Sequence, residues 1–175
     1  PAAHPGDSAG CVVLAPPQAP GGKFRILERF QWKGMDFAAQ ADAIKLLTEK
    51  YIVEYIGIDA TGIGQGVYQL VRGFFPAARE IKYSPEIKTA MVLKAKDTIT
   101  SGRLEYDTRH TDITQSFMAI RKTMTASGNR TTYEASRSEE ISHADVAWAT
   151  MHALLNEPLT AINGHVPVSI LDFNE

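Results

Sequence analysis

The sequence offers little sulfur chemistry and no excess of charge. One cysteine, Cys11, among 175 residues excludes an intramolecular disulfide framework and a zinc site built on cysteines. Basic residues number 18 against 20 acidic ones, a net charge of −2, which speaks against a generically basic nucleic-acid binder but leaves room for a local basic face. No apolar run approaches the roughly 18 residues that a bilayer span requires. No basic-then-apolar leader opens the sequence, so the expectation is an intracellular protein with no membrane partner. A GxxxxGK[ST] loop is also missing, since Gly21-Gly22-Lys23 lacks the first glycine; ATP hydrolysis by this chain is not expected. Neither internal repeats, low-complexity tracts nor a helix-turn-helix are found.

What is there is a globular composition, 44% hydrophobic and 22% charged, at a length suited to one domain. The valine-rich run AGCVVLA at 9–15 and the alternating FRILERFQW at 24–32 read as the arms of a hairpin, joined by a Pro- and Gly-rich turn. Asp36 is placed to cap a helix carrying Phe37, Ile44, Leu47 and Tyr51 at helical spacing. The segment YIGID at 55–59 predicts a strand ending on an acid, and its exit TGIGQG leads into a helix over about 67–73. Further along, the pattern predicts a strand over 78–83, a helix from Pro85 to Thr100 stopped by Gly102, and a short strand over 103–106. A helix over 112–124, a strand over 131–135 and an apolar helix over 142–156 complete the reading. The order is that of an α/β domain with a mixed sheet.

Three acids stand out. Asp59 ends a hydrophobic strand beside a Gly-rich turn, where open α/β sheets place their ligands; capping the turn is an equally good reason for an acid there. Gly62, Gly64 and Gly66 are spaced GxGxG and follow the acid directly, so a dinucleotide loop is disfavoured, and the glycines are better read as letting the backbone pass close to something. Asp145, in SHADVAW, falls in the first turn of a helix, where either the helix dipole or a capping-box-like arrangement with Ser142 explains an acid. His143 has no HxH or HxxxH partner. Asp7 follows Pro5-Gly6 and is equally an ordinary turn aspartate. Asp107 and Asp112 fit turn and cap roles at least as well as membership of the same cluster. Together, Asp59, Asp145 and Asp7 suggest a carboxylate cage for hard divalent ions, Mg²⁺ or Mn²⁺. A pair of such ions about 3.5–4 Å apart can activate water against a phosphodiester. Lys82, Lys88, Lys94, Lys96, Arg103, Arg121, Lys122, Arg130 and Arg137 are candidates for contact with a DNA backbone, most of them expected to be ordinary surface charges.

The segments YIGIDATGIGQGV, PEIKTAMVLKAKDTITSGRLEYD, FMAIRKTMTASGNRTTYEASRSEEISHADVAWATMHALLNEPL and PGDSAGCVVLAPP resemble the nuclease domain of tailed-bacteriophage terminase large subunits. The resemblance covers nearly all of residues 1–160. It implies an RNase H-like fold, a five-stranded mixed sheet with helices on both faces. It also implies a metal-dependent endonuclease that cleaves double-stranded concatemeric DNA with Mg²⁺ or Mn²⁺, two ions in the site. Asp59 matches the family's fourth-strand acid, Asp145 its late-helix acid, and Asp7 an additional acid of related nucleases. A further acid, on a strand upstream of Pro1, is implied as well. The nuclease domain is then expected over 1–157, with 158–175 a tail. In that tail Val166, Val168, Ile170, Leu171 and Phe173 either pack on their own domain or meet the portal. Other partners implied are the ATPase domain of the same subunit and the small terminase subunit, in the cytoplasm of an infected or lysogenic bacterial host. Two alternatives carry the same residues: another RNase H-like nuclease, such as a junction resolvase, or a catalytically incomplete docking module of the packaging motor.

Overall fold

A computed structural model describes residues 8–135 and 144–157. The hairpin forms as the alternation predicts: β1 (Ser8–Ala15) pairs antiparallel with β2 (Phe24–Lys33), with an irregularity between Val13 and Leu14. Asp36 accepts the Ala39 N–H at 2.8 Å and caps α1 (Phe37–Lys50), satisfying a donor that the helix cannot use itself. β3 (Gly57–Asp59) follows, then a 3₁₀ turn at Gly62–Gly64 and α2 (Gln65–Phe74). β4 (Arg79–Ile81) returns parallel to β3. α3 runs over Pro85–Thr100, with Pro85 in its first turn and the Ser84 hydroxyl accepting from Ile87 N. The short β5 (Leu104–Glu105) lies parallel to β2.

One expectation fails here. The residues read as a single helix over 112–124 divide into α4 (Thr111–Met118) and β6 (Ile120–Met124), which pairs antiparallel with β7 (Thr131–Ala135). Ile113, Phe117, Ile120 and Met124 continue a helical stripe through the break, so periodicity alone could not reveal it. Cross-strand pairing with Thr131–Ala135 decides the matter. α5 (Ala144–Leu154) is the last described helix. None of the described helices is long and apolar enough to cross a membrane.

Parallel and antiparallel pairs coexist, as a mixed sheet requires, but the described strands fall into three sheets: β1-β2-β5, β3-β4 and β6-β7. The core is correspondingly divided. Phe24, Ile81, Met91, Ala147, Met151 and Leu154 bury one cluster between α3, α5 and strands β2 and β4. Ala41, Ala60, Val67, Tyr68, Val71 and Ala78 form a second under α1 and α2. Ile26, Ile113 and Val146 make a third, joining α4 to α5 and β2.

Candidate metal centre

Asp59 is the last residue of β3, registered against Ile81 of β4. Its Oδ1 accepts the Thr61 N–H at 2.8 Å, which fixes the side chain against the turn that follows. That turn folds back over Asp59 closely. A Cβ on Gly64 would lie 1.9 Å from the Asp59 carbonyl oxygen, so only glycine fits. Gly64 thus accommodates the backbone of Asp59 itself, whereas Gly66 makes room for the Phe37 ring and Gly62 takes a positive φ of 66°.

Asp145 is the second residue of α5, in its first turn, where the helix dipole favours an anion. The Ser8 hydroxyl donates to its Oδ2 at 2.6 Å, and Gln31 Nε2 donates to Ser8 Oγ at 3.4 Å. Strand β1 runs directly beneath this turn: a Cβ on Gly10 would meet the Asp145 backbone carbon and oxygen at 2.6 Å. Burial raises the Asp145 carboxyl above its ordinary value, and the bond from Ser8 only partly opposes it. Asp7 lies outside the described residues, as do Ser142 and His143.

Tyr83 connects the two acids. Its backbone N–H donates to Thr61 Oγ1 at 2.9 Å, its hydroxyl is 2.8 Å from His152 Nε2, and its ring packs 5.3 Å from Trp148. Burial, and after it the negative charges of Asp59 and Asp145, push the phenol far above its ordinary range. Through these bonds Tyr83 links the turn that follows Asp59 to the helix that opens with Asp145. His152 is pushed down to about 4 by burial, with Asp59 pulling weakly the other way, so it is neutral at pH 7. Asp145, Trp148 and His152 stand at i, i+3 and i+7 on one helix face. That spacing was available in the sequence; the meeting with Tyr83 and Ser8 was not.

Among the described residues no group of three or more His, Cys, Asp or Glu side chains is close enough to hold a metal. The two acids are nonetheless the hard oxygen donors that Mg²⁺ and Mn²⁺ prefer. Each uses one oxygen in a hydrogen bond and has its other carboxylate oxygen without one among the described residues. The donor set fits such an ion. Asp107 and Asp112 lie elsewhere: Asp107 is clamped by Arg109 at 2.6 Å, which holds its carboxyl well below the usual range, and Asp112 pairs with Arg29 at 2.7 Å.

The basic candidates separate by partner. Lys94 and Arg103 both grip Glu157, with side-chain exposures of only 16%, 17% and 13% for the three residues. They are structural. Lys82 pairs with Glu80 at 3.0 Å and Arg130 with Glu86 at 2.5 Å. Lys88 instead projects over the rings of Tyr83 and Trp148, 5.4 and 5.9 Å from their centroids. Arg137 is outside the described residues.

An α/β domain with one acid ending a strand and another opening a late helix has the plan of an RNase H-like domain. Its fold is shared with the large terminase nuclease of thermophilic phage G20c. With bound magnesium, that structure superposes at a TM-score of 0.64 and 17% identity over 86% of this chain and 82% of that one. With bound cobalt it superposes at 0.63 and 18%, over the same shares. The large terminase nuclease domain of Thermus phage P74-26 superposes at 0.54 and 16% identity, over 81% and 78% of the two chains. Residues 1–157 match the family described as Terminase RNaseH-like domain, and the chain belongs to that family. It is 75% identical over 171 residues to the terminase, ATPase subunit, of Escherichia phage P2, and 46% identical over 159 residues to the probable terminase, ATPase subunit, of Haemophilus phage HP1. The chain is covered to 97% and 90% in these matches but spans only 29% and 26% of the relatives' lengths.

Proposed function

We propose that this chain is the nuclease portion of a phage terminase large subunit, a divalent-metal-dependent endonuclease acting on double-stranded concatemeric DNA. The observation that carries this reading is that Tyr83 bonds both to the turn that follows Asp59 and to the helix that opens with Asp145, each acid having an oxygen to spare, in a chain of this family. Asp59, Asp145 and Asp7 are the proposed metal ligands. Asp7 is bonded to Ser8, whose hydroxyl donates to Asp145. Mg²⁺ or Mn²⁺, two ions in the full site, would supply an activated water and stabilise the leaving oxygen of the phosphodiester. Thr61 and Ser8 orient the two carboxylates, and Lys88 is the candidate to hold a phosphate beside them.

A further strand preceding Pro1, bearing an acid, belongs to this reading. β1 and β3 each have an edge without a strand partner among the described residues, and α5 packs against both. The nuclease unit is proposed to run to residue 157, where the family match ends, with 158–175 a tail. The ATPase domain of the same subunit, the small terminase subunit and the portal are proposed partners, in the host cytoplasm during infection or lysogeny.

The test is plasmid nicking and linearisation with Mn²⁺, with Mg²⁺ and with EDTA. The chain extended by that preceding strand is expected to cut with either metal and not with EDTA, the 175-residue chain more slowly, and Asp59→Asn and Asp145→Asn are expected to abolish cutting while remaining folded. Cutting that survives both substitutions would refute the site assignment.

A further inference from the structure

The residues flanking the two acids belong to different core clusters, which meet where Ile81 of β4 joins Ala147 and Met151 of α5 in one of them. Ile58 and Ala60, flanking Asp59, belong to the cluster under α1 and α2. Val146 and Ala147, following Asp145, belong to the clusters that hold α5 to β2, α3 and α4. Among the described residues no strand pairing joins β3-β4 to β1-β2-β5. The separation of Asp59 from Asp145 therefore depends on whatever ties α5 to the β3–β4 pair.

The cluster that Ile81 shares with α5 holds the two together without fixing a direction; a continuous line of hydrogen bonds adds the directional tie. Asp59 Oδ1 accepts from Thr61 N, Thr61 Oγ1 accepts from Tyr83 N, and the Tyr83 hydroxyl meets His152 Nε2, at 2.8, 2.9 and 2.8 Å. His152 lies on the same face of α5 as Asp145, two turns along. Trp148, between them, packs on the Tyr83 ring. A buried tyrosine hydroxyl needs some partner in any protein. What singles this one out is that the line begins at one acid and ends on the helix face that carries the other.

Resting on the metal-site reading above, we propose that Thr61, Tyr83 and His152 are positioning residues that set the spacing of Asp59 and Asp145. Outer residues that orient metal ligands typically change metal affinity by about 10–100-fold when altered. Tyr83→Phe keeps the ring on Trp148 and removes only the hydroxyl. It is expected to weaken Mn²⁺ binding, measured by titration calorimetry on the whole chain, by about tenfold or more. The metal-free melting temperature should change little, and amide hydrogen exchange should quicken in the first turn of α5. Thr61→Val and His152→Ala are expected to act alike, whereas Thr61→Ser and His152→Gln, which keep a polar atom near the same place, should recover most of the affinity.

Wild-type affinity and unchanged exchange in Tyr83→Phe would overturn the proposal. So would a loss of affinity that follows a drop in melting temperature and is not recovered by the conservative variants. If the unsubstituted chain binds no Mn²⁺, or Asp59→Asn binds it equally well, the metal-site reading fails. Faster α5 exchange in Tyr83→Phe would still support the tether on its own.

Discussion

The Ser8 hydroxyl donates to Asp145 Oδ2 at 2.6 Å, joining residues 137 positions apart and fixing the carboxylate that opens α5. Its removal leaves burial unopposed, so Ser8→Ala should raise the Asp145 carboxyl further. A metal ligand must be deprotonated. Mn²⁺ binding by Ser8→Ala is therefore expected to fall most at acidic pH and to recover toward pH 8. A hydrogen bond to a charged group is worth about 1.5–3 kcal/mol, so the acid-side loss should be about tenfold or more. Titration calorimetry across pH 5–8 would show it, and a uniform loss at every pH would contradict the stated cause.

Asp145 should cost the metal-free fold stability at neutral pH. A carboxyl raised on folding contributes stability that is fully present below its unfolded value, ordinarily 3.8, and lost as pH rises through the folded value. Asp145→Asn removes the charge and keeps an oxygen that can accept from Ser8. Thermal melts in EDTA are expected to show the variant more stable than the parent at pH 7, the difference closing as pH falls toward 4. This is the stability–function opposition common at sites.

Gly10 has no room for a side chain. Its Cβ would press on the backbone of Asp145, and overpacking of this sort costs about 1–3 kcal/mol. Gly10→Ala should lower the melting temperature by about 2–12 °C and weaken Mn²⁺ binding as well, because the turn displaced is the one that carries the proposed ligand Asp145. A melt and a titration on one preparation test both.

Lys88 and Lys94, six residues apart on α3, should behave differently. Lys88→Gln is expected to weaken duplex DNA binding and to lower the salt slope of log K by about 0.9, the signature of one phosphate contact, at unchanged melting temperature. Lys94→Gln should destabilise the fold and leave the salt slope alone, since its charge is committed to Glu157. Equal slopes for the two variants would contradict this division.

Burial pushes the Glu157 carboxyl up, but the bonds from Arg103 and Lys94 outweigh it and its net shift is downward. Stability from such a group is present above its ordinary value of 4.5 and lost as pH falls through the folded value. Glu157→Gln should therefore melt lower than the parent at pH 7, with a smaller further loss between pH 5 and 3.

The hairpin, α1 and α3 were legible in the sequence because each is specified locally: alternation in FRILERFQW, the Asp36 cap, Pro85 opening and Gly102 closing a periodic run. β6 was not, because Ile120 and Met124 satisfy a helical stripe as well as a strand, and only the partner strand distinguishes them. The same division runs through the site. Asp59 and Asp145 were visible as acids at the end of a strand and the start of a helix. Ser8, Tyr83 and His152 were not singled out, because their partners lie 137, 69 and 69 residues away. His152 had a local clue in its spacing from Asp145, but nothing in the sequence says which tyrosine it meets.

Glu157 follows α5 closely yet is gripped by Lys94 of α3 and by Arg103, just before β5. Tension applied to the chain beyond this residue is consequently delivered to α3 and the approach to β5, and reaches the helix bearing Asp145 only once both cations let go. Such a strain relief would leave the two acids undisturbed by pulling from the carboxyl-terminal side.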